Sequence, residues 1–371
     1  MNRLFFELIQ VAIGLRDNLS IKPTCKEWYD LYDIAQKQSL LGICFSGIKR
    51  LEEQETIIPK DLFFQWLAVA TKIQQHNELM NNQSKEICKL IAQKGIENGV
   101  LKGQSVAYLY GTLASLRQAG DIDVWVIASS RDVIEWGRQV GHIYYYDYHH
   151  ADLDYFVDTT IELHYRPTLS RNLIRNFRLQ HWFNKQKSKL FYFNKELEFN
   201  CPQYDFNLIL TLNHNFWHLL YEGIGLRQMM DLYFILKTQK ENLSISEIKK
   251  ELDYFGLRKY AGASMWVMRE VFCLPEEYMI CKPDQKRGQH LLEEIMISGN
   301  FGHYDNRIQI DKNQSRIILF VKWLKHSMRL LGDYPADVLW TPIGIVRISL
   351  WRRWHYLFDK KIRKEKLMTV A

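Results

Sequence analysis

Asp121 and Asp123 stand two residues apart in Gly120-Asp121-Ile122-Asp123-Val124-Trp125-Val126, and their apolar, partly β-branched neighbours favour a strand. Strand side chains alternate faces, so the two carboxylates point the same way. Such a pair repels unless a cation lies between them. A hard divalent ion suits an oxygen ligand set and can also hold a nucleotide's phosphates. A bare Asp-x-Asp is common on solvated strand edges, so the surroundings carry the argument. Upstream, Lys102-Gly103 follows the apolar Gly99-Val100-Leu101 and precedes Gln104 to Tyr110, which reads as a short helix. Glycine lets a backbone come close to a ligand, and a helix N-terminus offers free amides to phosphate. Downstream, Ile161-Glu162-Leu163-His164-Tyr165 alternates and puts Glu162 and His164 on one face. A third carboxylate on a neighbouring strand completes a cage for one or two metal ions. Two ions can activate an attacking hydroxyl and stabilise a leaving pyrophosphate in an in-line displacement.

The order Lys-Gly, an arginine at 117, Gly-Asp-Ile-Asp, then Glu-Leu-His resembles the DNA polymerase beta-like nucleotidyltransferase superfamily. More narrowly, it is similar to an uncharacterised bacterial nucleotidyltransferase family within it. The motif-bearing part spans roughly residues 85 to 200. The resemblance implies a small mixed β-sheet core that transfers a nucleoside monophosphate from a nucleoside triphosphate to a hydroxyl acceptor and releases pyrophosphate. It implies Mg²⁺ (or Mn²⁺) on Asp121, Asp123 and Glu162, Gly103 at the phosphate turn, and Lys102 and Arg117 on the triphosphate. Gln104 shares that turn, where the broad superfamily carries Gly-Ser or Gly-Gly, and the gap to Asp121 is longer than usual. His164 orients a metal-bound carboxylate or contacts the acceptor; a packed, hydrogen-bonded histidine is the alternative. Gly225-Leu-Arg-Gln-Met-Met-Asp231 and Gly299-Asn-Phe-Gly302 are similar to the helical part of the same branch.

Composition bounds the class. The chain has 371 residues, 47% of them hydrophobic, enough for two sizeable cores, and its aromatic content argues against disorder. The net charge of +7 suits anionic substrates such as nucleotides without requiring nucleic acid. Six cysteines stand without close pairs or zinc spacing, which reads as buried free thiols in a reducing cytoplasm. The apolar start of the chain is interrupted by Glu7 and Gln10, unlike a signal peptide, and Val338 to Leu350 is broken by Pro342 and Arg347, so no transmembrane segment is expected.

These residues need elements to hold them. Residues 1–97 read as helices, with Asp61 to Lys94 a long amphipathic run that buttresses a sheet. Residues 98–200 read as the α/β core, with strands at Asp121 to Ile127, His142 to Tyr148, Asp154 to Asp158 and Thr160 to Tyr165. Residues 201–371 read as a helical bundle, including Gln203 to Tyr221, Leu226 to Thr238, Ile245 to Phe255 and Leu257 to Cys273. The expected class is α+β, a small mixed sheet between N-terminal helices and a C-terminal helical domain.

Four further groups have two readings each. His214 and His218 share a helix face, but Asn215 replaces the glutamate of a metalloprotease helix, so they read as structural or substrate-pocket residues. Arg227 and Asp231 read as a helix-surface ion pair, the alternative being a phosphate contact by Arg227. His149, His150, Asp152 and Asp154 read as a polar hairpin loop, the alternative being a second metal site. The C-terminal Arg347, Arg352, Arg353, Lys360, Lys361, Arg363, Lys364 and Lys366, interleaved with aromatics, read as an amphipathic helix docked on the bundle with a solvated basic tail, or else as a segment that binds RNA or an acidic membrane surface. The rival functions are a non-catalytic nucleotide- or RNA-binding protein of this fold, and a toxin-like enzyme that modifies transfer RNA or protein. The acceptor and oligomeric state are not written in the residues.

Overall fold

The computed structural model describes residues 2–52, 58–186, 190–307 and 315–358. The chain opens with helices α1 (Asn2–Ala12), α2 (Cys25–Lys37), α3 (Leu41–Glu52) and α4 (Lys60–Ala92). A capping box starts α2: the Thr24 hydroxyl accepts from the Glu27 amide while the Glu27 carboxylate accepts from the Thr24 amide. The length of α4 has a purpose. Leu62, Trp66 and Ala70 at its start join one apolar core, while Met80, Ile87 and Ile91 at its end join a second core beneath the sheet.

That sheet contains β1 (Asn98–Leu101), β2 (Ile122–Val126), β3 (His142–Tyr146), β4 (His150–Asp154) and β5 (Ile161–His164) in the order β1-β2-β5-β4-β3. β2 and β5 run parallel and the other pairs antiparallel, which is the expected mixed α+β arrangement. Two helices interrupt it, the short α5 (Gly103–Ala107) after β1 and α6 (Ser130–Val140) after β2. Alternation sorts the residues by face. Ile122, Val124, Val126, Ala151, Leu153, Ile161 and Leu163 enter the core shared with α4 and α6. The opposite face carries Asp123, Glu162 and Asp152 in one row, and Trp125, His164 and His150 in the next.

Two strand expectations need correction. No strand forms at Asp154 to Asp158; the strand is β4, in the stretch that reads as a loop. Its apolar residues, Ala151 and Leu153, go to the core, and its His and Asp residues line the other face, so one polar face disguised it. Asp121 also lies one residue before β2 rather than within it.

After α7 (Leu173–Gln186) a two-stranded hairpin, β6 (Phe191–Asn194) and β7 (Phe199–Pro202), leads to the helical region. This comprises α8 (Tyr204–Tyr221), α9 (Leu226–Gln239), α10 (Ile245–Tyr254), α11 (Arg258–Phe272), α12 (Gln285–Ser298), α13 (Arg316–Met328) and α14 (Pro335–Phe358). One apolar core runs from Leu4 of α1 through α8, α9 and α11 to Val338 of α14. The last helix docks on the sheet edge as well as on α13: the Tyr356 hydroxyl donates to the Tyr146 carbonyl at 3.0 Å, and Arg352 donates to the Tyr145 hydroxyl at 2.7 Å. Lys360, Lys361, Arg363, Lys364 and Lys366 lie outside the described residues. Cys44, Cys88 and Cys201 are buried thiols, whereas Cys25 and Cys273 are exposed, contrary to a uniform buried reading. Among the described residues no helix is long and apolar enough to cross a membrane.

Candidate active site

The pairing of β2 with β5 sets Asp123 beside Glu162. His164, almost fully buried, aims its Nε2 at both, 2.8 Å from Asp123 Oδ1 and 3.1 Å from Glu162 Oε2. Lys102, from the end of β1, places Nζ 2.7 Å from the same Asp123 oxygen. Asp121 lines the same cleft one residue before β2. The charges respond to this crowding. Burial, then the neighbouring Asp123 and Glu162, push the Asp121 carboxyl up to about 6. Burial works in the same direction on Asp123, but Lys102 and the His164 hydrogen bond outweigh it and hold that carboxyl well below its usual range. Glu162 is likewise held well below its usual range, burial being overcome by His150 and His164. Burial opposes the charged forms of Lys102 and His164, yet the carboxylates raise both.

The turn after β1 is strained. Lys102 has φ +49° and Gly103 φ +30°, a region that side chains disfavour. A Cβ on Gly103 would meet only the Asp121 carbonyl, at 3.7 Å, so conformation rather than space requires glycine there. Gln104 leaves the cleft: its amide donates to Asn81 Oδ1 of α4 at 2.8 Å. Arg117 reaches the cleft wall but is clamped by Asp231 of α9, Nε to Oδ1 at 2.6 Å and Nη2 to Oδ2 at 2.8 Å. The Tyr110 hydroxyl adds a third bond to Asp231 at 2.6 Å. This overturns the expected Arg227–Asp231 helix pair. Arg227 is buried instead, donates to the Gln118 carbonyl at 2.6 Å, lies over the Phe301 ring, and lines the cleft.

These groups line a cleft of about 1030 Å³ between the sheet and the C-terminal helices. Its far wall comes from α8, where His214 Nε2 lies 3.4 Å from Lys102 Nζ and 2.9 Å from His218 Nε2. Burial and then Lys102 hold His214 well below its usual pKa, so it stands neutral beside the ammonium. The two later sequence matches meet at this wall. Gln228 donates to Asn300 Oδ1 at 3.0 Å, and a Cβ on Gly302 would lie 1.9 Å from the Glu222 carbonyl at the end of α8, so glycine alone permits that approach. The other side of the cleft holds His149 and His150, which read from the sequence as a polar loop rather than a second metal site, and Asp147, which the sequence did not single out. The alternation of His150, Asp152 and Asp154 with Ala151 and Leu153 was the available signal. Arg171, stacked 3.8 Å from the Tyr221 ring, also lines the cleft and had no sequence signal.

The residues fit a divalent cation. Asp123, Glu162 and His164 offer ligand atoms within 4.8 Å of one another; Asp121 is outside that group but lines the same cleft, its carboxyl raised by burial and then by Asp123 and Glu162, whose charge a cation would offset. Neither the curated proteins nor the solved structures searched contain a match to this chain. A family model described as an uncharacterised nucleotidyltransferase matches residues 24–273. That stretch holds Lys102, Asp121, Asp123, Glu162 and Arg227, while the Gly299–Gly302 turn lies beyond it. With well over half of the chain inside the match, this protein belongs to the uncharacterised nucleotidyltransferase family.

Proposed function

We propose that this protein is a polymerase beta-like nucleotidyltransferase. It moves a nucleoside monophosphate from a nucleoside triphosphate to a hydroxyl acceptor, using Mg²⁺ or Mn²⁺ held by Asp121, Asp123 and Glu162. The observation that carries this reading is the carboxylate group around His164 and Lys102 at the floor of a cleft large enough for a nucleotide and an acceptor. The ion supplies charge for the phosphates and the leaving pyrophosphate.

The chain's own residues do the rest. Lys102 neutralises Asp123 and, with Arg227, gives the cleft the positive charge that would face the triphosphate. Arg117 gives Nε and Nη2 to Asp231, so it positions the segment that leads to Asp121, and its Nη1, without a partner, is left for the triphosphate. Gly103 lets the backbone approach the phosphates. His164 fixes the rotamers of Asp123 and Glu162. Glu162, partly accessible and ionised, is placed to take a proton from the incoming hydroxyl. The chain's six cysteines, without close pairs or zinc spacing, suit a reducing cytoplasmic setting.

Calorimetry tests this. Each of the four triphosphates is titrated with and without Mg²⁺ into wild type and into Asp121→Ala/Asp123→Ala. We expect Mg²⁺-dependent binding of one nucleotide, lost in the double variant. Metal-independent binding that survives in the double variant would favour the non-catalytic nucleotide-binding reading.

A further inference from the structure

Beside the carboxylates lies a second cluster of different chemistry. His149, His150 and His164 place ligand nitrogens within 4.8 Å of one another. His149 has its Nδ1 hydrogen-bonded to Asp147, His150 has its Nε2 close to Asp152, and His164 turns its Nε2 to Asp123 and Glu162. His149 Nδ1 lies 2.8 Å from Asp147 Oδ1, His150 Nε2 lies 3.0 Å from Asp152 Oδ1, and His164 Nδ1 lies 3.3 Å from the Arg166 carbonyl. Metal-binding histidines are oriented as His149 is, the outer N–H held by a carboxylate, which fixes the tautomer and leaves the inner lone pair for the ion, whereas His164 would supply Nε2 only by giving up its hydrogen bonds to Asp123 and Glu162.

The inner nitrogens converge. His149 Nε2 and His150 Nδ1 are 2.9 Å apart, with one proton between them. Two nitrogens bound to one tetrahedral ion at about 2.1 Å stand roughly 3.4 Å apart, so a cation could take the proton's place with a small opening of the pair. Two backbone constraints hold the geometry: the His149 amide donates to the same Asp147 oxygen at 2.9 Å, and β4 pairs with β5 so that His150 faces His164. Asp152 and Glu162 also lie within ligand range of His150, so an oxygen ligand is at hand. The other histidine pair, His214 and His218, is a weaker candidate because the Lys102 ammonium sits 3.4 Å from His214 and repels a cation.

We propose that His149, His150 and His164 form a nitrogen-rich site for a borderline transition-metal ion of the Zn²⁺ class, adjoining the carboxylate site, with His164 exchanging its hydrogen bonds to Asp123 and Glu162 for the ion. Imidazole suits such an ion, whereas Mg²⁺ prefers the oxygen set beside it. The cleft would then hold two cations of unlike chemistry. This inference concerns metal binding alone and stands whether or not the protein transfers nucleotides.

The test uses the full chain, metal-stripped, with Co²⁺ as a coloured probe and Zn²⁺ as competitor, and no nucleotide. Wild type should bind one Co²⁺ with visible absorption typical of low-coordinate nitrogen ligation, displaced by Zn²⁺. Asp147→Ala, which frees the outer nitrogen and the amide of His149 but leaves all three rings in place, should weaken Zn²⁺ by about 10–100-fold. His149→Ala/His150→Ala should abolish the absorption, while Asp121→Asn should keep it. If the double variant fails to fold, His149→Gln is measured in its place, with circular dichroism as the control. Absence of the absorption in wild type, or its persistence in folded His149 variants, would overturn the proposal.

Discussion

Lys102→Met removes the ammonium that neutralises Asp123 and nearly preserves the length of the side chain. The two groups are 2.7 Å apart and mostly shielded, with side-chain exposures of 14% and 6%. Their attraction is about 6 kcal/mol at an effective dielectric of ~20. Most of this is offset by the cost of burying the charges, so the attraction is not the stability lost. Breaking a buried pair costs about 3–5 kcal/mol because one charge is left uncompensated. His164 still bonds Asp123 at 2.8 Å, which puts the expected loss near the lower end, about 3 kcal/mol. Mg²⁺ should reverse much of that loss, because it supplies the missing positive charge to the same carboxylate. The ammonium no longer competes with the ion, and a charged hydrogen bond is worth about 1.5–3 kcal/mol, so Mg²⁺ should bind roughly 10–100-fold more tightly than to wild type. Nucleotide should bind more weakly, having lost a cation. The assay is urea unfolding of both proteins without and with saturating Mg²⁺, followed by Mg²⁺ titration. Unchanged stability, or a loss that Mg²⁺ leaves untouched, would refute the idea that Lys102 and the metal share Asp123.

Two further predictions lie away from the carboxylates. Arg117→Met leaves the buried Asp231 with only the Tyr110 hydroxyl, so stability should fall by about 3–5 kcal/mol, and Arg117→Met/Asp231→Leu should recover much of it in urea unfolding. Glu251 accepts from the Trp182 indole at 2.8 Å, its other oxygen has no partner, and burial lifts its carboxyl to about 7. The folded chain therefore holds that proton more tightly than the unfolded chain, and the fold loses stability as pH rises from the unfolded value near 4.3 through 7. Glu251→Gln should match wild type at acid pH and exceed it by up to about 3 kcal/mol at pH 8, read by urea unfolding across pH.

Local pattern carried much of the architecture. The helical periods of α8 to α11 and the long run of α4 read directly, because each buries one stripe or is apolar throughout. That Asp123 and Glu162 share a face was legible because strand alternation fixes it, whereas Asp121 reaches the cleft from the residue before β2. Where polarity and burial separate, the sequence misleads. β4 has histidines and aspartates on its cleft face, so a central strand reads as a loop. Asp231 reads as a partner for Arg227 four residues away, yet it pairs with Arg117, which lies 114 residues distant.

By its sequence alone, then, this protein declares an α+β class, its helices, and a set of carboxylates suited to a divalent ion. Tertiary structure decided which cation faces which carboxylate, that His214 of α8 comes to Lys102 of β1's end, and that His149 and His150 join His164. The physical reason is range. Periodicity reports burial over one or two turns or a few strand residues, whereas register, helix docking and charge pairing depend on contacts between segments that no local pattern encodes.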